Sequence, residues 1–177
     1  MSITKLNNLS VSALTALPSG VGGKVLQVVS TQVTSTISTT ITTALTFYDL
    51  SGLSATITPS SASNKILVVA KICSSLNTSG TNRQYLRLLR GSTAIGIGDS
   101  GTGVTVSGGG LYGTDTNSVV DVPFVWYDSP NTTSATTYKF QGSSNVNSQT
   151  FYINRGQYSG ADAALGACQI LLLEIAG

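Results

Sequence analysis

Leu53-Ser54-Ala55-Thr56-Ile57-Thr58, then Pro59-Ser60-Ser61-Ala62-Ser63-Asn64, then Lys65-Ile66-Leu67-Val68-Val69-Ala70-Lys71-Ile72-Cys73: this stretch decides the fold. In the first segment Leu53, Ala55 and Ile57 alternate with Ser54, Thr56 and Thr58. Such a period of two puts one residue set on each face of a half-buried strand. The middle segment is a run of turn residues. The third is apolar at both parities and rich in β-branched residues, which reads as a central strand covered on both faces. Strand, turn, strand is the unit of an all-β protein.

The rest of the chain repeats that grammar. Lys24–Val33 alternates and is β-branched. Residues 30–46 are dominated by Ser and Thr, and read as an exposed strand pair or a long loop. Arg83–Arg90 and Thr93–Gly98 flank Gly91-Ser92, a two-residue hairpin loop. Ser118–Asp128, Ala135–Gln141, Thr150–Arg155 and Ala167–Ile175 complete the strands, and the last is expected to be buried on both faces. Residues 99–118, with Gly108-Gly109-Gly110 inside them, read as a long loop. Roughly nine or ten strands, with turns every 8–12 residues or so, predict an all-β, jelly-roll-like two-sheet sandwich. No helical period survives after Leu14, and there is no internal repeat.

Composition agrees. Charged residues make up 9% of the 177-residue chain, against about 25% in an ordinary soluble domain. Its polar surface is therefore Ser, Thr, Asn and Gly, which favour strands and turns over helix. The length suits one domain with a real core. Net charge is +2, and the densest basic group is Arg83, Arg87 and Arg90. Arg87 and Arg90 fall on opposite faces of a strand, so they form no phosphate-binding stripe, and no nucleic-acid partner is expected.

Residues 1–23 stand apart from the 24–177 domain. Ile3, Leu6, Leu9, Val11, Leu14 and Leu17 are apolar at irregular spacing, and Pro18–Gly23 reads as a linker. This is the pattern of an anchoring arm that is ordered by docking on another protein. Lys5 is followed by Leu-Asn-Asn-Leu-Ser, which interrupts any signal-peptide core. No apolar run approaches the ~20 residues of a membrane span. Synthesis in a cytoplasm and no membrane partner are the expectation.

Catalytic candidates are few. Without histidine the commonest general base is missing. The carboxylates are Asp49, Asp99, Asp115, Asp121, Asp128, Asp162 and Glu174. Asp128 precedes Ser-Pro and reads as a turn former. Glu174 alternates with apolar positions and is expected on the outer face or at a subunit contact. Gly96-Ile97-Gly98-Asp99-Ser100-Gly101 matches G-x-G-x-x-G, but no helix former follows to meet a pyrophosphate, so the match is rejected. Cys73 and Cys168 lie in apolar runs and read as core thiols, with their pairing left open. Zinc spacing and the EF-hand pattern are absent. No enzyme activity, cofactor or metal is expected. Phe124, Trp126, Tyr127, Tyr138, Phe140, Phe151 and Tyr152 read mainly as core. Tyr112, Asp115 and Tyr158, in loops, are the candidates for contact with a receptor.

Four segments carry a resemblance: Gly52–Val69, Leu88–Asp99, Asp128–Lys139 and Phe151–Arg155. In content, order and spacing they resemble virion structural proteins of tailed bacteriophages, common in cyanophages and other marine phages and often labelled tail fibre proteins. The likeness covers about residues 24–177 and leaves the arm outside. It implies a jelly-roll head that forms homotrimers, and it carries no catalytic residues. The expected function is a capsid decoration (cement) or head-fibre protein on the virion surface, made in the host cytoplasm. Its arm would dock on the major capsid protein or another virion protein. The alternative is a tail-fibre or tailspike tip that binds a host-surface glycan through loops 99–118 and 156–164. A bacterial jelly-roll surface protein is a third reading, disfavoured by the missing export signal.

Overall fold

A computed structural model describes residues 23–76, 82–99, 103–112, 119–158, 160–161 and 163–177. In chain order its strands are β1 (Val25–Val33), β2 (Ile37–Ile41), β3 (Tyr48–Ile57), β4 (Lys65–Leu76), β5 (Arg83–Arg90), β6 (Thr93–Ile95), β7 (Gly108–Tyr112), β8 (Val120–Asp128), β9 (Thr136–Ser144), β10 (Gln149–Ile153) and β11 (Cys168–Ile175). They form two antiparallel sheets packed as a jelly-roll-like sandwich. The six-stranded sheet runs β1-β11-β4-β10-β2, with β8 also paired to β4; the five-stranded sheet runs β3-β9-β5-β6, with β7 also paired to β5.

The decisive stretch forms strand, turn and strand, as its pattern requires. Leu53, Ala55 and Ile57 of β3 are buried while Ser54 and Thr56 are exposed. β4 is central: β11 flanks one edge, and β8 and then β10 share the other. Ile66, Val68, Ala70 and Ile72 of β4 face inward with Ile170 and Leu172 of β11 and Phe124 of β8. Opposite them lie Leu86 and Leu88 of β5 and Tyr138 and Phe140 of β9. Phe124 and Phe140 meet across the sandwich with ring centroids 4.8 Å apart at 60°, a tilted arrangement that suits the charge distribution of aromatic rings. The β5–β6 hairpin turns on Gly91-Ser92 as expected, Gly91 taking a φ of +59°.

Several expectations need correction. β1 and β2 are not a strand pair: they lie at opposite ends of the six-stranded sheet. Residues 99–118 are not all loop, because Gly108–Tyr112 forms β7 beside β5. Glycine is a poor strand former, but a Cβ on Gly108 would lie 2.7 Å from the Phe124 ring. The close approach of β7 to that ring therefore needs a residue without a side chain. β11 is buried on one face only, its alternate residues Gln169, Leu171, Leu173 and Ile175 being half-exposed. The same holds for Lys65–Ala70 of β4. Trp126 and Tyr127 are not core, both being exposed, and Tyr152 is half-exposed.

Candidate functional site

Because side chains alternate across a strand, the register of the six-stranded sheet decides what it shows outward. Val28 of β1 stands opposite Leu173 of β11, Leu173 opposite Leu67 of β4, and Leu67 opposite Tyr127 of β8. The next outward row is Ser30, Leu171, Val69 and Val125. Val25, Ile175 and Lys65 continue the face at one end, and Gln32, Gln169, Lys71 and Pro123 close it at the other. The row ends are the most open: Val28 is 56% exposed, Val125 69% and Tyr127 56%. Leu67, Val69, Leu171 and Leu173 between them are half-buried. Two adjacent rows across four strands thus carry seven apolar side chains, Ser30 and no charge. Such a contiguous apolar patch on a low-charge protein is a candidate contact surface.

A second feature lies beside β10. A cavity of about 300 Å³ is lined by Thr36, Arg155, Tyr158, Ala163 and Leu165, among others. Tyr158, a receptor-contact candidate, is exposed here. Arg155 is engaged by its own loop: Nε donates to the Gly156 carbonyl at 2.8 Å and Nη2 to the Gln157 carbonyl at 2.9 Å, while the guanidinium lies 4.8 Å from the Tyr152 ring centre. The loop is anchored by Asn154, fully buried at a φ of +61°, a conformation that asparagine tolerates better than most residues. Its Nδ2 donates to the carbonyls of Val33 and Ser35 at 2.7 and 3.0 Å, and its Oδ1 accepts from the Cys168 thiol at 3.0 Å.

The other candidates are not gathered there. Tyr112 ends β7, opposite Arg83, in the five-stranded sheet. Asp115 and the arm residues Ile3, Leu6, Leu9, Val11, Leu14 and Leu17 lie outside the described residues.

Two carboxylates are buried where the sequence reading did not put them. Glu174 points inward and is 0% exposed, not on the outer face. Its Oε1 accepts from the Ser60 N–H at 2.7 Å, the Ser60 hydroxyl at 2.8 Å and Asn64 Nδ2 at 2.5 Å; its Oε2 accepts from Gln27 Nε2 at 2.6 Å. Burial works against its charge, but the hydrogen bonds from Asn64, Gln27 and Ser60 outweigh burial and hold the pKa down at about 2. Asp128 ends β8, as a turn former would, yet its carboxylate is buried between the sheets. Arg90 Nη1 donates to both of its oxygens, at 2.9 and 3.0 Å, and the Tyr138 hydroxyl donates to Oδ2 at 2.6 Å. Burial first, and then the Asp128 carboxylate, push the Tyr138 hydroxyl pKa up.

Glu174 and Asp128 flank Ile66 in register, which separates their Cα atoms by two strand spacings, about 10 Å. Glycoside hydrolysis needs room for sugar and water between its two carboxylates. Here the fully buried Ile66 fills that space, and every carboxylate oxygen already accepts from protein. These two groups tie strands and turns together. Cys73 and Cys168 are both free and buried, and burial pushes the Cys73 thiol up to about 11 and the Cys168 thiol upward. Among the described residues no group of three or more His, Cys, Asp or Glu is placed to hold a metal ion.

No protein-family model matches the chain, and a search of curated proteins finds no match.

Proposed function

We propose that this chain is a non-enzymatic virion structural protein of a tailed bacteriophage, acting as a capsid decoration or head-fibre protein. The arm of residues 1–23 docks on the major capsid protein or another virion protein, and the 24–177 domain forms a homotrimer. The carrying observation is the set of four phage-like segments, each of which coincides with a structural unit. Gly52–Val69 runs from within β3 through its turn into β4. Leu88–Asp99 spans the β5–β6 hairpin, Asp128–Lys139 the β8–β9 connection, and Phe151–Arg155 the β10 end with its loop clamp. The apolar outer face of the six-stranded sheet supports a role in assembly, since function here is buried area rather than chemistry.

A second reading, a tail-fibre tip that binds a host-surface glycan, is favoured by the cavity beside exposed Tyr158, because an aromatic ring beside polar groups suits a sugar. Electron microscopy of intact virions labelled with an antibody to residues 24–177 separates the two. Label spread over heads is the expected result; label confined to tails reverses the order. Deleting residues 1–23 should leave a folded trimer that no longer binds capsids, and full binding by the truncated protein would refute arm docking.

A further inference from the structure

We infer that the outer face of the six-stranded sheet is where copies of this chain meet, and that they meet as a closed ring, the β8 end of one copy lying on the β1 end of the next. The inference deepens the proposed assembly and rests on it for the identity of the partner.

Area argues against a simple pair. Four strands about 4.8 Å apart and two apolar rows about 6.8 Å apart outline a face of about 260 Å². Two copies stacked face to face would bury about 500 Å² in all, short of the ~1,200 Å² that stable interfaces reach. In a cyclic assembly each copy meets two neighbours and can add its row ends and strand edges to the contact. The structure has those ends to offer. Val25 and Val28 on β1, and Val125 and Tyr127 on β8, are exposed large apolar residues at opposite ends of the rows. Among the described strands β1 pairs with β11 alone and β8 with β4 alone, so each keeps an open edge. Open edges attract further strands unless covered.

Chemistry argues for a copy over a charged partner. The rows Val28–Leu173–Leu67–Tyr127 and Ser30–Leu171–Val69–Val125 hold no charge, so a charged surface would lose hydration there without gaining a counterion. A chain with 9% charged residues supplies the matching surface itself. Lys71 and Asp121, 3.3 Å apart and both exposed, sit at the polar border of the face.

The test uses the full chain. Light scattering should give the wild type three times the monomer mass. Val28→Asp and Val125→Asp each place a charge at an exposed row end on an edge strand, and each should reduce the mass threefold with an unchanged circular dichroism spectrum. Leu165→Asp, at a residue 73% exposed and outside the outward rows, should leave the trimer intact. Face variants that stay trimeric would overturn the inference and leave the trimer standing; a monomeric wild type would overturn both. A second measurement does not depend on disrupting assembly. Val28→Cys and Tyr127→Cys proteins, mixed and treated with a short bismaleimide, should cross-link to each other, Cys73 and Cys168 being buried. Cross-links confined to like variants, or none at all, would overturn the ring.

Discussion

On the five-stranded sheet the outward row Asp49–Gln141–Arg87 crosses β3, β9 and β5 in register. Gln141 donates to Asp49 at 2.7 Å and accepts from Arg87 at 2.7 Å, and Lys139 reaches Asp49 at 2.7 Å from the next row. Thr56 and Thr137 share a hydrogen bond of 2.8 Å beyond it. On the six-stranded sheet the corresponding row is Val28–Leu173–Leu67–Tyr127, with no hydrogen-bonding side chain before the tyrosine. Both rows sit on the same kind of scaffold, each outward residue one position from inward-facing neighbours. A chain so poor in charge has placed much of its polar chemistry on one outer surface and left the other apolar. The difference is that the polar row is closed by its own side chains, while the apolar rows have no such closure and are the surface on which the proposed contact rests.

The contrast collapses most completely if the layer between the faces is emptied. Phe140→Ala removes half of the Phe124–Phe140 contact and opens a cavity under both sheets. It should cost about 3–5 kcal/mol, read as a fall in the urea midpoint with little change in slope. Loss below 1 kcal/mol would mean that the two sheets are held by something other than this core.

Glu174→Ala comes next. It leaves donors from Gln27, Ser60 and Asn64 aimed at nothing, and should cost about 3 kcal/mol. The hydrogen bonds join β1, the turn after β3 and β11 at one end of the six-stranded sheet, so the loss should loosen the apolar face and spare the polar one. Hydrogen exchange should quicken in β1 and the 59–64 turn before β5 or β9.

That glutamate also shows how much the sequence could tell. Parity alone puts Glu174 with Cys168, Ile170 and Leu172, which all point inward. The run Ile170–Leu173 is apolar at both parities, which hid the phase and made a charged residue read as outward. The same parity puts Val122 and Phe124 inward and Val125 and Tyr127 outward; residue type, which favours aromatic rings in cores, obscured it. β3 and β4 were legible because their pattern and their turn agreed. β7 was not, because its glycines answer to the Phe124 ring, a neighbour distant in sequence. The buried partners of Asp128 and Asn154 come from other strands and leave no local mark. The apolar rows became visible only once register joined β1, β11, β4 and β8.

A pH titration separates the two faces further. The folded pKa of Glu174, about 2, lies below its ordinary 4.5, so the unfolded chain binds the proton more readily. Stability from this group is therefore complete above about pH 4.5 and is lost as pH falls towards 2. Urea midpoints should decline across that window in the wild type, and the decline should be shallower in Glu174→Ala. An equal decline in both would assign the acid sensitivity to other carboxylates.

The smallest expected effect lies on the polar face. The Lys139 and Gln141 side chains hold the Asp49 carboxyl below its usual range, but Asp49 is exposed and its ion pair is shared with water. Exposed pairs of this kind contribute about 0–1 kcal/mol. Asp49→Asn should therefore lower stability by less than about 1 kcal/mol. It should also leave the mass of the assembly unchanged, because Gln141 and Arg87 still cover the row with polar groups. The same single charge placed at Val125, on the opposite face, should dissociate it. If Asp49→Asn instead altered the assembly, the polar face would be a contact surface as well, and the distinction between a finished face and an unfinished one would fail.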